Sequence, residues 1–83
     1  MEHYWIIARS VTYAQRMQSA LARAGIRCRI FRAPRELVDL GCAYAVEVPE
    51  GDIQAVMTVF YREALRPVQI FAVDHGQFRE VAL

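Results

Sequence analysis

At 83 residues the chain is long enough for one domain with a two-layer core and too short for more. Its make-up, 55% hydrophobic and 23% charged, is that of a folded globule, and a net charge of +1 gives no purchase on nucleic acid or an anionic membrane surface. No apolar run approaches the roughly 20 residues of a membrane span, and the run ending at Arg9 is too short for a signal peptide's core. With two cysteines far apart in sequence, the expected setting is a reducing cytoplasm with free thiols. All ten basic residues are arginine; a coding bias explains this more simply than a function does.

In chain order, residues 3–9 (HYWIIAR) are aromatic and β-branched and read as a strand. Ser10 or Thr12 caps a helix whose apolar stripe is Val11, Ala14, Met17, Leu21 and Ala24, with Gly25 at its end. Residues 26–31 (IRCRIF) alternate as a half-buried strand. Pro34 breaks it, and the connection to Cys42 has room for one helical turn. Residues 42–48 (CAYAVEV) form a third strand. Asp52 caps a second helix with stripe Ile53, Val56, Met57, Phe60 and Ala64, stopped by Pro67. Residues 68–74 (VQIFAVD) are a fourth strand, and 77–83 alternate weakly.

The order β-α-β-β-α-β predicts an α+β domain over 1–83 of the ferredoxin-like split βαβ type. It has a four-stranded antiparallel sheet in order 4-1-3-2 and both helices on one face, with 75–83 an extension or edge strand. That topology brings Arg9-Ser10-Val11, the loop Ala33–Cys42 and Arg66-Pro67 to one edge. Cys42 then lies near Arg9 and Ser10, at the positive end of the first helix. Arg9, Arg35 and Arg66 are the candidate cations. Such neighbours depress a thiol's pKa from about 8.5 and make it a nucleophile. The same residues could instead hold a phosphate, sulfate or carboxylate, and Cys42 could equally be a small apolar residue opening a strand.

At this loop the chain resembles the selenium/sulfur carrier-like family, small bacterial domains. The resemblance rests on Ser10, Ala14, Leu21 and Gly25, on Pro34-Arg35-Glu36-Leu37, and on Cys42 at the start of the third strand. It implies that Cys42 carries sulfur or selenium as a persulfide-type adduct, exchanged with a partner enzyme. The family commonly has serines before the cysteine and glycine after it, whereas Leu40-Gly41 and Ala43 stand here.

The leading expectation is thus a thiol-dependent carrier or redox accessory protein using Cys42, supported by Arg9, Ser10, Arg35 and Arg66. The rivals are a small-anion-binding or regulatory module on the same arginines, and a structural dimerisation domain. No general acid/base set for a stand-alone enzyme is visible; Glu36 and Asp39 read as a solvated turn. No cofactor is implied. His3 and His75 make half a zinc site at most, so no metal is expected. Cys28, in phase with Ile26 and Ile30, reads as an inert core thiol opposite a residue near Val46, too far from Cys42 for a disulfide. Of the strand aromatics Trp5, Tyr4, Tyr44 and Phe71, alternation puts some, with Ala43 and Ala45, on the sheet face the helices leave open, an apolar face that points to a homodimer; Tyr44 is also in phase with Val46 and Val48, which reads equally as core.

Overall fold

The computed structural model describes residues 2–38 and 43–81. Cys42, and with it Asp39, Leu40 and Gly41, lies outside the described residues. The elements follow as β1 (His3–Ala8), α1 (Val11–Arg23), β2 (Arg29–Arg32) and β3 (Tyr44–Pro49). A 3-10 turn at Glu50–Asp52 leads into α2 (Ile53–Arg62), and β4 (Gln69–Asp74) and β5 (Gln77–Val81) complete the chain.

All pairings are antiparallel, in the order β2-β3-β1-β4-β5. The expected count of four strands is corrected to five. The last strand is a full ladder on β4, from Asp74 opposite Gln77 to Ile70 opposite Val81. Its side chains are mostly exposed, so it is held by backbone pairing rather than by a buried face, and its weak alternation understated it.

The sheet's first face lies under both helices. Ile6 and Ala8 of β1, Val46 and Val48 of β3 and Ile70 of β4 pack with Met17 and Leu21 of α1 and Val56 and Phe60 of α2. Side chains of this size contribute about 1.5–3 kcal/mol each when fully buried. The α1 stripe differs from the expected one. Tyr13 and Ala20 are buried, whereas Val11 is 40% exposed and Ala24 is also exposed. The helix lies on the sheet rotated toward its Tyr13 side, so its two terminal apolar residues fall off the contact. Ser10 is the cap, in extended backbone, its Oγ accepting the Tyr13 N–H at 3.1 Å.

Both helices end in the same way. The N–H of Ile26 bonds the Leu21 carbonyl and that of Gly25 the Ala22 carbonyl; Leu65 to Phe60 and Ala64 to Tyr61 repeat this after α2. The two pairs of bonds define the Schellman motif, whose turning residue needs positive φ. Gly25 takes φ 77° without strain, but Ala64 is held at 58°. Asp52 occupies the N-cap position of α2 but makes no capping bond.

The second face is only partly open. Pro34 accepts from the Leu37 and Val38 N–H groups, closing the expected single turn, and residues 33–38 fold over the sheet. Ala33 and Val38, with Leu37, bury Ile7, Ala45 and Phe71. The case for a second copy on this face shrinks to its other end, where Trp5 meets the edge of Phe31 at 4.8 Å and Phe78 at 5.1 Å. There the Trp5 indole N–H donates to Glu47 Oε2 at 2.8 Å and Arg29 Nε donates to Oε1 at 3.0 Å. Burial pushes the Glu47 carboxyl up, but the Arg29 and Trp5 hydrogen bonds and the charges of Arg29 and His3 outweigh it, and its pKa is lowered.

Tyr44 sides with the helices rather than with the open face. Among the described residues no helix is long and apolar enough to cross a membrane.

Candidate functional site

The end of β1 is a junction. Ala8 pairs with Tyr44 at the start of β3, Arg32 at the end of β2 pairs with the same Tyr44, and Ile7 pairs with Gln69 at the start of β4. The Ala33 N–H reaches the Ala43 carbonyl and the Val68 N–H the Ile7 carbonyl. The connections before β3 and before β4 therefore arrive where α1 begins.

Tyr13, one turn into α1 and 7% exposed, organises this junction. Its backbone N–H bonds Ser10 Oγ, and its hydroxyl accepts the Arg66 N–H at 2.6 Å. The Arg9 guanidinium carbon lies 4.5 Å from the ring centroid and that of Arg16 5.2 Å. Cation–π contacts of exposed arginines are worth about 0.5–1 kcal/mol each, a bias on where the cations point. Of the expected site residues, Arg9, Ser10 and Arg66 thus all meet Tyr13, Arg9 through its guanidinium, Ser10 through a bond to the Tyr13 backbone N–H and Arg66 through its own backbone N–H.

Arg35 stands apart from that group. It is exposed in the turn of the connection that covers the second face, and it makes no hydrogen bond or ion pair to a described residue. Arg66 also lines a groove of about 510 Å³ with Met57, Tyr61 and Pro67.

Sequence reasoning passed over Tyr13 and Arg16. A usable signal existed for Arg16, which lies three residues after Tyr13 on the same helix, the step that makes helix-surface neighbours; Arg9 precedes the extended cap, and its contact with Tyr13 is not given by helical spacing. Tyr13 was hidden because the stripe had been drawn through Val11 and Ala14.

Cys28 precedes β2 and is half-buried against the helix side. Burial pushes its thiol up from the ordinary value, opposed by a hydrogen bond with Gln18. Arg29 pairs with Glu47 and Ile30 with Val46, so this register carried one residue back sets Cys28 toward Val48, two residues along from Val46. His3 sits in β1 and His75 in the β4–β5 turn, its Nδ1 2.9 Å from Asp74 Oδ1. No group of three potential metal ligands occurs among the described residues.

A two-layer α+β domain with a cationic, hydroxyl-bearing junction at one end of its central strand is thereby defined. The family described as Putative Se/S carrier protein-like matches residues 3–72, and the chain belongs to that family. The match spans β1 through most of β4 and stops short of β5. No curated protein and no solved structure matches the chain.

Proposed function

We propose that the protein is a sulfur or selenium carrier that uses the Cys42 thiolate and exchanges its cargo with a partner protein in a reducing compartment such as the cytoplasm. The observation that carries this reading is the family match over residues 3–72. Of the two cysteines, Cys28 is half-buried and burial pushes its thiol up, which disfavours it as the carrier thiol, and we assign the role to Cys42. Position in the chain supports it. Tyr44, two residues further on, pairs with Ala8, and Arg9 and the first turn of α1 follow directly. Arg9, Ser10 and Arg66, with Arg35 from the preceding turn, are the groups we assign to support the thiolate charge. The arrangement of β1–β4 with both helices on one face is, in this reading, the ferredoxin-like split βαβ extended by β5.

In the transfer step the Cys42 thiolate attacks the outer sulfur of a donor protein's persulfide. The new S–S bond forms as the old one breaks, the donor thiolate leaves with the electron pair, and no external oxidant is needed. Incubation with a persulfidated donor, followed by intact-mass measurement, tests the proposal. Wild type and Cys28→Ser should each gain one sulfur atom, and Cys42→Ser none. Loading of Cys42→Ser at the wild-type level would refute it.

A further inference from the structure

We infer that the groove at the end of α2 docks an acidic segment of a partner protein, which places an apolar side chain in the groove and its carboxylates on Arg62 and Arg66. This does not rest on the carrier reading, because neither thiol takes part.

The large apolar residues left exposed are unevenly placed. Val11 is 40% exposed, Tyr61 91%, Val68 37% and Phe78 43%. The first three share the end of the molecule where α1 starts and α2 finishes, whereas Phe78 lies on β5. The convergence has a cause. The Val68 N–H bonds the Ile7 carbonyl and the Arg66 N–H bonds the Tyr13 hydroxyl, which ties the α2–β4 connection against the start of α1. Apolar residues exposed singly need no explanation, but several at one end beside a cleft mark an interaction site.

The cleft is the groove of about 510 Å³ that runs between the last turns of α2 and the connection after it. Met57, Tyr61, Ala64, Leu65 and Pro67 wall it, and no carboxylate lines it among the described residues. Ala64 keeps a methyl group on this wall at φ 58°, which a glycine would adopt without strain; strain of this kind gathers at ligand clamps.

Charge selects the occupant. Arg66 lines the groove, and Arg62 follows Tyr61 directly in the last turn of α2. Both are exposed, and neither has a carboxylate partner among the described residues. Glu63, next in the chain, is engaged by Arg23 at 3.3 Å. Tyrosine and arginine around a cleft are the residue types that carry most of the binding energy in protein interfaces. A concave apolar site takes a protruding side chain, whereas a lipid surface calls for a protruding apolar face. The basic rim favours a leucine or phenylalanine flanked by aspartate or glutamate over the same side chain flanked by lysine.

The test uses the full-length protein and a fluorescein-labelled peptide, Asp-Glu-Leu-Phe-Asp-Glu, followed by fluorescence anisotropy, with amide NMR to place the contact. Saturable binding is expected, with shifts at Tyr61, Arg62, Arg66 and Val68, and it should weaken from low salt to roughly 0.5 M. Tyr61→Ala should raise the dissociation constant about tenfold and Arg62→Glu about fivefold. Arg27→Glu, which reverses an exposed arginine at the far end, should leave it unchanged. Tyr61 and Arg62 are exposed, so both variants should unfold at the wild-type temperature. No saturable binding, equal binding of Lys-Lys-Leu-Phe-Lys-Lys, or an equal loss in Arg27→Glu would overturn the site. So would binding that Tyr61→Ala leaves intact, or Tyr61-dependent binding to phosphatidylglycerol vesicles in place of the peptide. Cys42→Ser separates the two proposals, since it should abolish sulfur loading and leave peptide binding intact.

Discussion

Replacing Tyr13 by Phe removes one oxygen and tests whether this phenol ties the start of α1 to the α2–β4 connection. The ring stays, so the Arg9 and Arg16 contacts at 4.5 and 5.2 Å remain possible. The lost oxygen is the acceptor for the Arg66 N–H at 2.6 Å, a bond spanning 53 residues of sequence. A fully buried amide left unsatisfied costs about 1–3 kcal/mol. Arg66 itself is exposed, so water reaches the amide in part, and we expect about 1–2 kcal/mol. In a domain of this size each kcal/mol lowers the melting temperature by about 4–8 °C. The assay is urea unfolding of both proteins, paired with hydrogen exchange at the Arg66 amide, which should accelerate more than its neighbours. Tyr61→Phe, whose residue is 91% exposed, is the control and should change stability by less than about 0.5 kcal/mol. A Tyr13→Phe loss as small as the control's, with Arg66 exchange unchanged, would refute the reasoning.

Three further outcomes follow from the geometry. Ala64→Gly should stabilise the fold by about 1 kcal/mol in thermal unfolding, because Ala64 occupies at φ 58° the Schellman position that Gly25 fills after α1. Glu47 has a folded pKa below its ordinary value of 4.5, so its contribution is present above that value and lost as pH falls through the lowered one. Between about pH 5 and pH 3, Glu47→Gln should therefore show a shallower fall in stability than wild type. Cys28, its thiol pushed up by burial from 9.0, should be alkylated more slowly in the native protein than in denaturant at pH 8; equal rates would contradict its half-buried placement.

Element order was legible because proline, glycine and capping residues punctuate this chain clearly, and strand aromatics separate cleanly from the helical stripes. The errors arose where backbone pairing or helix rotation decides. Nothing in the side chains of β5 demands burial, so its alternation said little about its ladder with β4. The contact face of α1 depends on how the helix lies on the sheet, which moved Tyr13 inward and Val11 outward. The site divides along the same line. Topology brought Arg9, Ser10 and Arg66 to one junction, because strand direction fixes where connections end. It did not reveal Tyr13 at that junction, since the stacking of Arg9 and Arg16 on its ring depends on side-chain direction, nor that Arg35 rides on a turn packed over the other face.

The strand that comes first in the chain lies in the middle of the sheet. β1 is bonded on one side by residues 44–49 and on the other by residues 69–73, so neither of its neighbours is its neighbour in sequence. A chain emerging from the ribosome therefore carries Ile6 and Ile7 unpaired until β3 appears, and completes the central strand only once β4 has followed. Both closures bridge long loops, whose entropy must be lost before any ladder repays it. Folding is thus governed by the last quarter of the chain, and a nascent chain stalled before residue 69 would hold a sheet whose central strand still has one bare edge.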